Sequence, residues 1–262
     1  MTAQHAAPVA GRVTRVDGPL VEVEGLPGAA MSEVVELGAT RLAAEVVAIR
    51  GDLVTTQAYE YTGGLAPGDR VTSLGEPLSA RLGPGLLGGV FDGLLRPLSG
   101  APTWLRPGAH GERAGSKWRF VPAVREGATV RPGDVLGRVA DAGAIDHRVL
   151  VPPSAGGLVG SVVPEGTYAD TDVVARVGDT EVSLVSDWPV RRPRPYAERL
   201  DDAGPLVTGQ RVLDLLFPIA RGSTAAVPGG FGTGKTLLLQ QVAKWCDADV
   251  IVYVGCGERG NE

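Results

Sequence analysis

Cysteine is nearly missing from this sequence: of 262 residues only Cys246 and Cys256 are cysteines, one on each side of an apolar run near the end of the chain. Two thiols cannot build a disulfide scaffold, and their spacing is not that of a zinc site. Both are expected as buried, reduced thiols. The three histidines, His5, His110 and His147, lie far apart with no ligand pattern between them, so they read as solvent or turn residues. Lysine occurs only at 117, 235 and 244, aromatics make up 5%, and the net charge is −5. No cationic surface interleaved with rings is on offer for a phosphate backbone, which argues against nucleic acid as a partner. No stretch of 18 apolar residues occurs, and the first residues lack an apolar core behind a positive start. The expectation is a cytoplasmic chain, at most peripheral to a membrane.

What the sequence does have is glycine (38), proline (20) and a 44% hydrophobic content, enough for a sizeable core in one to three domains. Short apolar runs between turn residues predict many brief strands. Between about residues 11 and 75, Val21 and Val23 alternate with Glu22 and Glu24, while Gly51-Asp52 and Pro67-Gly68-Asp69 carry turn chemistry. A small closed barrel is the natural outcome, because closure removes exposed strand edges. In GPGLLGGVFDGLLRPL, residues 83–98, Leu86, Leu87, Val90, Phe91, Leu94 and Leu95 fall at helical spacing. The stretch predicts a short helix or hinge, and no lysine follows its glycines to make it a phosphate loop.

Residues 120–185 again read as strands and turns, in the manner of a flattened biotinyl- or lipoyl-type barrel. Carriers of that kind attach their cofactor to a lysine, and none lies between Lys117 and Lys235. The segment is therefore expected to be a structural or interaction module. Residues 187–200, DWPVRRPRPYAERL, combine a tryptophan with three prolines and four arginines. Proline fixes φ and disfavours helix before it, so an extended strap is predicted, either a solvated linker or a strap gripping acidic surface on a neighbouring domain.

Residues 229–236, GGFGTGKT, match G-x-x-x-x-G-K-[ST]. In that pattern glycines let backbone N–H groups turn inward around phosphate oxygens. Gly229, Gly230, Phe231, Gly232, Thr233 and Gly234 would form the cradle, Lys235 would reach the outer phosphates, and Thr236 would face a magnesium ion. With so few lysines a random match is roughly a one in 150 event. TAAV (224–227) precedes the loop as a short strand, TLLLQQVAKW follows at helical spacing, and VIVYV (250–254) reads as a central parallel strand. The prediction is a right-handed βαβ unit with the phosphates at a helix N-terminus. Glu258 then emerges at the same sheet edge, either to orient an attacking water or as a helix-start residue or surface carboxylate. Arg259 is either its ion-pair partner or a phosphate contact.

GPLV (18–21), GPGLLGGVFDGLLRPL, HRVLVPP, WPVRRPRPY, TGQRVLDLLFPIARG, GGFGTGKT and DADVIVYVGCGERGNE together resemble the catalytic A chain of V-type and archaeal-type ATP synthases over nearly the whole sequence. The resemblance to the beta chain of the bacterial and mitochondrial enzyme is more distant, since that family lacks an insertion like residues 110–185. Noncatalytic ring subunits and hexameric nucleic-acid or secretion motors share the loop. The GKT with GER argues against the first, and the insertion and acidic charge against the second.

The resemblance implies a multi-domain β plus α/β fold: an N-terminal β-barrel (1–75), a connecting segment with the start of the nucleotide-binding domain (76–109), an inserted β-rich bulge domain (110–185) and a P-loop nucleotide-binding domain (186–262) truncated at its C-terminal end. It also implies ATP or ADP with Mg²⁺ as ligands, with Lys235 and Thr236 as phosphate and metal contacts. Glu258 would polarise the water, and Arg259 would contact phosphate or orient Glu258. The implied partners are noncatalytic B-type subunits alternating in a hexameric head, central and peripheral stalk subunits and, indirectly, a membrane sector moving protons or sodium. Some family members carry a cysteine just before the GKT. Here that position is Thr233, which puts a thiol switch in doubt.

Overall fold

Alternating valines in the first third of the chain become the inside of a closed barrel. The computed structural model describes residues 10–108, 115–143, 145–196, 198–200 and 204–257. It divides into a unit ending at Pro195 and a second beginning at Tyr196. Strands β1 (Ala10–Asp17), β2 (Leu20–Glu24), β3 (Glu33–Leu37), β4 (Leu42–Arg50), β5 (Leu53–Ala58) and β6 (Arg70–Pro77) close in the order β1-β2-β5-β4-β3-β6. Every pairing is antiparallel, and Ala10 opposite Thr72 joins the last edge to the first. The period of two sends Val21 and Val23 inward with Val13, Val35, Leu37, Val46, Val54 and Val71, all buried. Burial of each such side chain contributes roughly 1.5 to 3 kcal/mol. The turn chemistry is in place: Gly51 takes φ 62° between β4 and β5, and the Asp69 carboxylate accepts the Ala66 N–H at 2.8 Å beside Gly68 at φ 95°.

After β7 (Ser79–Leu82), the stretch expected as a short helix or hinge holds a single 3-10 turn, Pro84–Leu86. Helical spacing of the leucines is overruled by the glycines among them, which disfavour helix, and Gly88 and Leu95 sit at φ 71° and 58°. Asp92 instead organises a loop, accepting the N–H groups of Leu94 and Arg96 at 3.0 and 2.9 Å. The Arg96 guanidinium bridges Asp92 to Glu60, two residues past β5, at 2.5 and 3.0 Å.

The insertion follows as β8 (Lys117–Pro122), β9 (Thr129–Val130), β10 (Val135–Val139), β11 (His147–Leu150), β12 (Gly157–Val162), β13 (Gly166–Ala169), β14 (Val173–Val177) and β15 (Thr180–Ser183). Two four-stranded sheets, β11-β10-β8-β13 and β15-β14-β12-β9, share one core built on Phe120, Leu136, Val159 and Val177. Phe120 meets the edge of Tyr168 at 6.4 Å and lies over Gly137, where a β-carbon would come within 2.3 Å of the ring. His147, half-buried at the start of β11, is held below the usual imidazole range by desolvation, against the pull of Asp146. No lysine stands on any described hairpin tip of this module.

Strand β16 (Ser186–Pro189) pairs antiparallel with β7, Ser186 opposite Leu82 and Pro189 opposite Ser79. Of the two readings of the strap, gripping acidic surface is what the structure shows at Arg191, which donates to both oxygens of the buried Glu45 in the barrel. Arg192 and Arg194 stack on the Trp188 ring at 5.3 and 4.5 Å.

The second unit contains β17 (Pro205–Leu206), α1 (Arg211–Leu216), β18 (Ile219–Ala220) and α2 (Lys235–Trp245), with β17 and β18 forming an antiparallel pair. The expected βαβ unit is not assembled: residues 224–227 and 250–254 are not strands, and Val252 and Val254 are exposed. A central parallel strand needs neighbours on both edges and cover on both faces, and the described residues provide neither. For the same reason the two cysteines are not buried as expected: both are free, but Cys246 is half-buried and Cys256 exposed.

Candidate nucleotide-binding site

The phosphate loop is shaped by its glycines. Gly232 and Gly234 take φ 76° and 82°, a left-handed conformation that a side chain resists, and Gly234 is the N-cap of α2. A β-carbon on Gly229 would fall 2.8 Å from the Thr233 hydroxyl, which donates to the Gly230 carbonyl at 2.8 Å. The first residues of α2, Lys235 and Thr236, thus leave a bend whose N–H groups have no helical partner, at the positive end of the helix dipole. Such an end is a ready anion site.

Lys235 is held rather than free. Its ammonium donates to the carbonyl oxygens of Gly229 and Gly230, both at 2.6 Å, so the cation already lies across the bend that the glycines make. Phe231 stands exposed at the tip. The structure therefore brings Gly229, Gly230, Phe231, Gly232, Thr233, Gly234, Lys235 and Thr236 into one loop and helix start, while Glu258 and Arg259 lie outside the described residues.

Among the described residues no group of three or more His, Cys, Asp or Glu is placed to hold a metal. Magnesium does not need one: it keeps several waters and is commonly bound through one or two protein oxygens plus substrate phosphates. The Thr236 hydroxyl, one residue beyond Lys235, is of that kind.

Two ties in the second unit were not read from the sequence. Thr208, fully buried, donates its hydroxyl to Asp214 at 2.7 Å and its N–H to the same oxygen at 2.9 Å, which fixes the start of α1. The donated hydrogen bonds hold the Asp214 carboxyl below its usual range, the Thr208 hydroxyl foremost. Asp247, just past α2, accepts Arg221 at 2.6 Å and the Val207 N–H at 3.2 Å on its carboxylate and donates its own N–H to the Val207 carbonyl at 3.0 Å, tying the end of α2 to the β17–β18 pair. The only sequence signal was an aspartate after the helix.

The family model described as the ATP synthase alpha/beta family, beta-barrel domain, matches residues 13–75. The barrel-sandwich domain of the ATP synthase alpha/beta subunit matches residues 113–191, and the nucleotide-binding domain of the same family matches residues 209–262. The chain belongs to the ATP synthase alpha/beta family. Within that family it is 50% identical over 266 residues to the A subunit of the A-type ATP synthase of Metallosphaera sedula, covering 96% of this chain and 44% of the relative. It is 46% identical to the V-type ATP synthase alpha chain of Thermoanaerobacter sp., with 96% of this chain and 44% of the relative covered. With the A subunit of the A-type ATP synthase of Methanopyrus kandleri the identity is 47%, over 97% of this chain and 45% of the relative. The chain thus spans less than half the length of these relatives. No described helix is long and apolar enough to cross a membrane.

Proposed function

We propose that this chain is the ATP-binding part of the catalytic subunit of an A-type or V-type rotary ATP synthase, which couples ATP synthesis or hydrolysis to the movement of protons or sodium ions across a membrane. The observation that carries the reading is Lys235 at the first turn of α2, its ammonium lying across the Gly229–Gly234 bend. The phosphates of ATP or ADP would sit in that bend, accepting its N–H groups. Lys235 would exchange two neutral carbonyl partners for anionic phosphate oxygens, so that donor and acceptor both carry charge. Thr236 would hold Mg²⁺ against the same phosphates. Glu258 would polarise the attacking water, and Arg259 would contact phosphate or orient Glu258.

In the assembled enzyme the chain would alternate with noncatalytic B-type subunits in a hexameric head, contact central and peripheral stalk subunits, and lie peripheral to the membrane sector. The insertion and the strap at 187–200 would be contact surfaces of that head. The relatives named as chains of ATP synthases support this reading.

The test is Lys235→Ala in the full-length protein, with ATP affinity measured by equilibrium titration. Binding should be abolished, because Lys235 is the only charged side chain in a loop otherwise offering amide N–H groups. Undiminished affinity would remove the phosphate-loop assignment.

A further inference from the structure

The strap that follows β16 carries two arginines with no acid of their own. Arg192 and Arg194 are both exposed, and neither forms an ion pair among the described residues. Each lies over the Trp188 ring, 5.3 and 4.5 Å from its centroid, so both guanidinium groups are held beside one indole. A guanidinium resting on a ring uses only its face. Its five N–H donors lie in its own plane and stay open to an acceptor.

The platform beneath them is fixed. Trp188 stands in β16 opposite Ala80 of β7, and its indole N–H donates to the Arg192 carbonyl at 2.6 Å. The Arg192 N–H donates to the Pro189 carbonyl at 3.0 Å, and the Val190 N–H to the Leu78 carbonyl at 2.9 Å. Pro189, Pro193 and Pro195 restrict φ along the strap, and Arg191 is clamped to Glu45. The ordering that a long side chain normally undergoes on binding is thus already made by the fold. Tryptophan and arginine are also the residues in which the binding energy of protein interfaces concentrates, and Val190 beside them leaves an apolar side chain 49% exposed.

Charge decides the class of partner. Arg191, in the same strap, takes both oxygens of one carboxylate, and Arg192 and Arg194 offer the same donors outward. A nucleic acid or an anionic lipid surface needs a broad field of cations, whereas this chain has a net charge of −5 and Asp187, immediately before Trp188, is an exposed acid. Discrete carboxylates on a protein surface can meet two guanidinium groups without that field. We propose that the Trp188 platform is a docking point for an acidic segment of a neighbouring subunit, whose carboxylates accept the N–H groups of Arg192 and Arg194. This rests on the reading of the chain as a subunit of an assembled synthase, and it adds the residues and the charge of one contact.

The experiment uses the full-length subunit in reconstituted complexes, carrying Arg192→Lys or Arg194→Lys in separate preparations. Each change keeps the positive charge and supplies an amine, which a carbodiimide joins to a carboxylate in direct ion-pair contact. Lysine otherwise occurs in these 262 residues only at 117, 235 and 244, so a link made at the strap is readily assigned in peptide mass spectra. The expected result is an amide link from the introduced lysine to an aspartate or glutamate of another subunit. Its yield should fall severalfold at about 1 M salt, where the screening length is about 3 Å. Arg192→Gln combined with Arg194→Gln should weaken association of the full-length subunit with the other head subunits about tenfold, the scale of two exposed ion pairs. Links to carboxylates of the same subunit alone, or association unchanged by the double replacement, overturn the docking point. A subunit that assembles and turns over ATP yet gives no link overturns the docking point alone, whereas an unaltered subunit that joins no complex overturns it together with the reading on which it rests.

Discussion

Arg191 and Glu45 stand 146 residues apart and are joined by two hydrogen bonds of 2.8 and 2.5 Å. Glu45 belongs to the barrel and its side chain is only 7% exposed, whereas that of Arg191 is 67% exposed. A buried carboxylate needs partners, and this one has Arg191 and the Tyr59 hydroxyl, at 2.9 Å. Arg191 is the foremost reason that the Glu45 carboxyl lies below its usual range, outweighing burial. Burial, helped by the neighbouring carboxylate, pushes Tyr59 up to about 12. The clasp fastens the exit of the insertion to the barrel.

A carboxyl depressed on folding stabilises the fold above its unfolded value, here 4.5, and that contribution is lost as pH falls through the lower folded value. The thermal midpoint should therefore drop on acidification below about 4.5, in step with Glu45 protonation. Arg191→Met should lower the midpoint at neutral pH and flatten the acid slope, while Arg192→Met, exposed on Trp188, should leave both nearly unchanged. Melting curves across the acid range decide it: parallel profiles for the parent and Arg191→Met would mean that the clasp adds nothing.

Phe120 and Gly137 are fitted to each other in the insertion. Gly137→Ala would place a methyl group 2.3 Å from the ring and 2.8 Å from the Val121 carbonyl, overpacking that should cost about 1 to 3 kcal/mol. Phe120→Ala should cost about 3 to 5 kcal/mol through the cavity it leaves. Combining Gly137→Ala with Phe120→Leu should cost less than the sum of the two single changes in urea unfolding. Strict additivity would show that ring and glycine do not sense each other.

In the full-length protein, Glu258→Gln should leave ATP binding nearly intact and cut turnover by at least about 100-fold, the scale for losing a group that activates the nucleophile. Equal losses in binding and in rate would make Glu258 structural.

Removing residues 110–185 from the full-length protein should leave single-site nucleotide binding largely intact and weaken the coupling of turnover to ion transport, or binding to peripheral stalk subunits. The described part of that segment holds Lys117 as its only lysine and no cysteine, and its core is apolar. ATP-driven pumping measured beside ATPase rate in reconstituted complexes is the readout, and unchanged coupling and stalk binding would withdraw the contact role.

The barrel was legible in the sequence because its determinants are local: alternating Val21 and Val23, and turns made by Gly51 and by Pro67-Gly68-Asp69. The phosphate loop was legible for the same reason, glycine spacing before Lys235. Residues 250–254 were misread because an apolar run records a preference for strand, while a strand exists only with partners for its N–H and C=O groups. The leucines after Pro84 kept helical spacing but sat among glycines, and the period alone took no account of them. Arg191 could be recognised as part of a strap, but nothing near it in sequence pointed to Glu45. The Thr208–Asp214 and Arg221–Asp247 ties are likewise products of the fold.

Leu82 faces Ser186 across the β7–β16 ladder, which makes everything between them the loop of a single hairpin. A two-residue type I′ turn could close the same ladder. Since loop closure changes by only about 0.6 kcal/mol for each doubling of length, the two strands sense modest changes in the length of chain between them only weakly. The barrel meets that stretch at Glu60, which accepts both the Arg96 guanidinium and the Gly108 N–H, each at 3.0 Å. The ladder is therefore a natural splice point, where a lineage or an engineer can lengthen, trim or exchange the intervening module while the barrel below keeps its register.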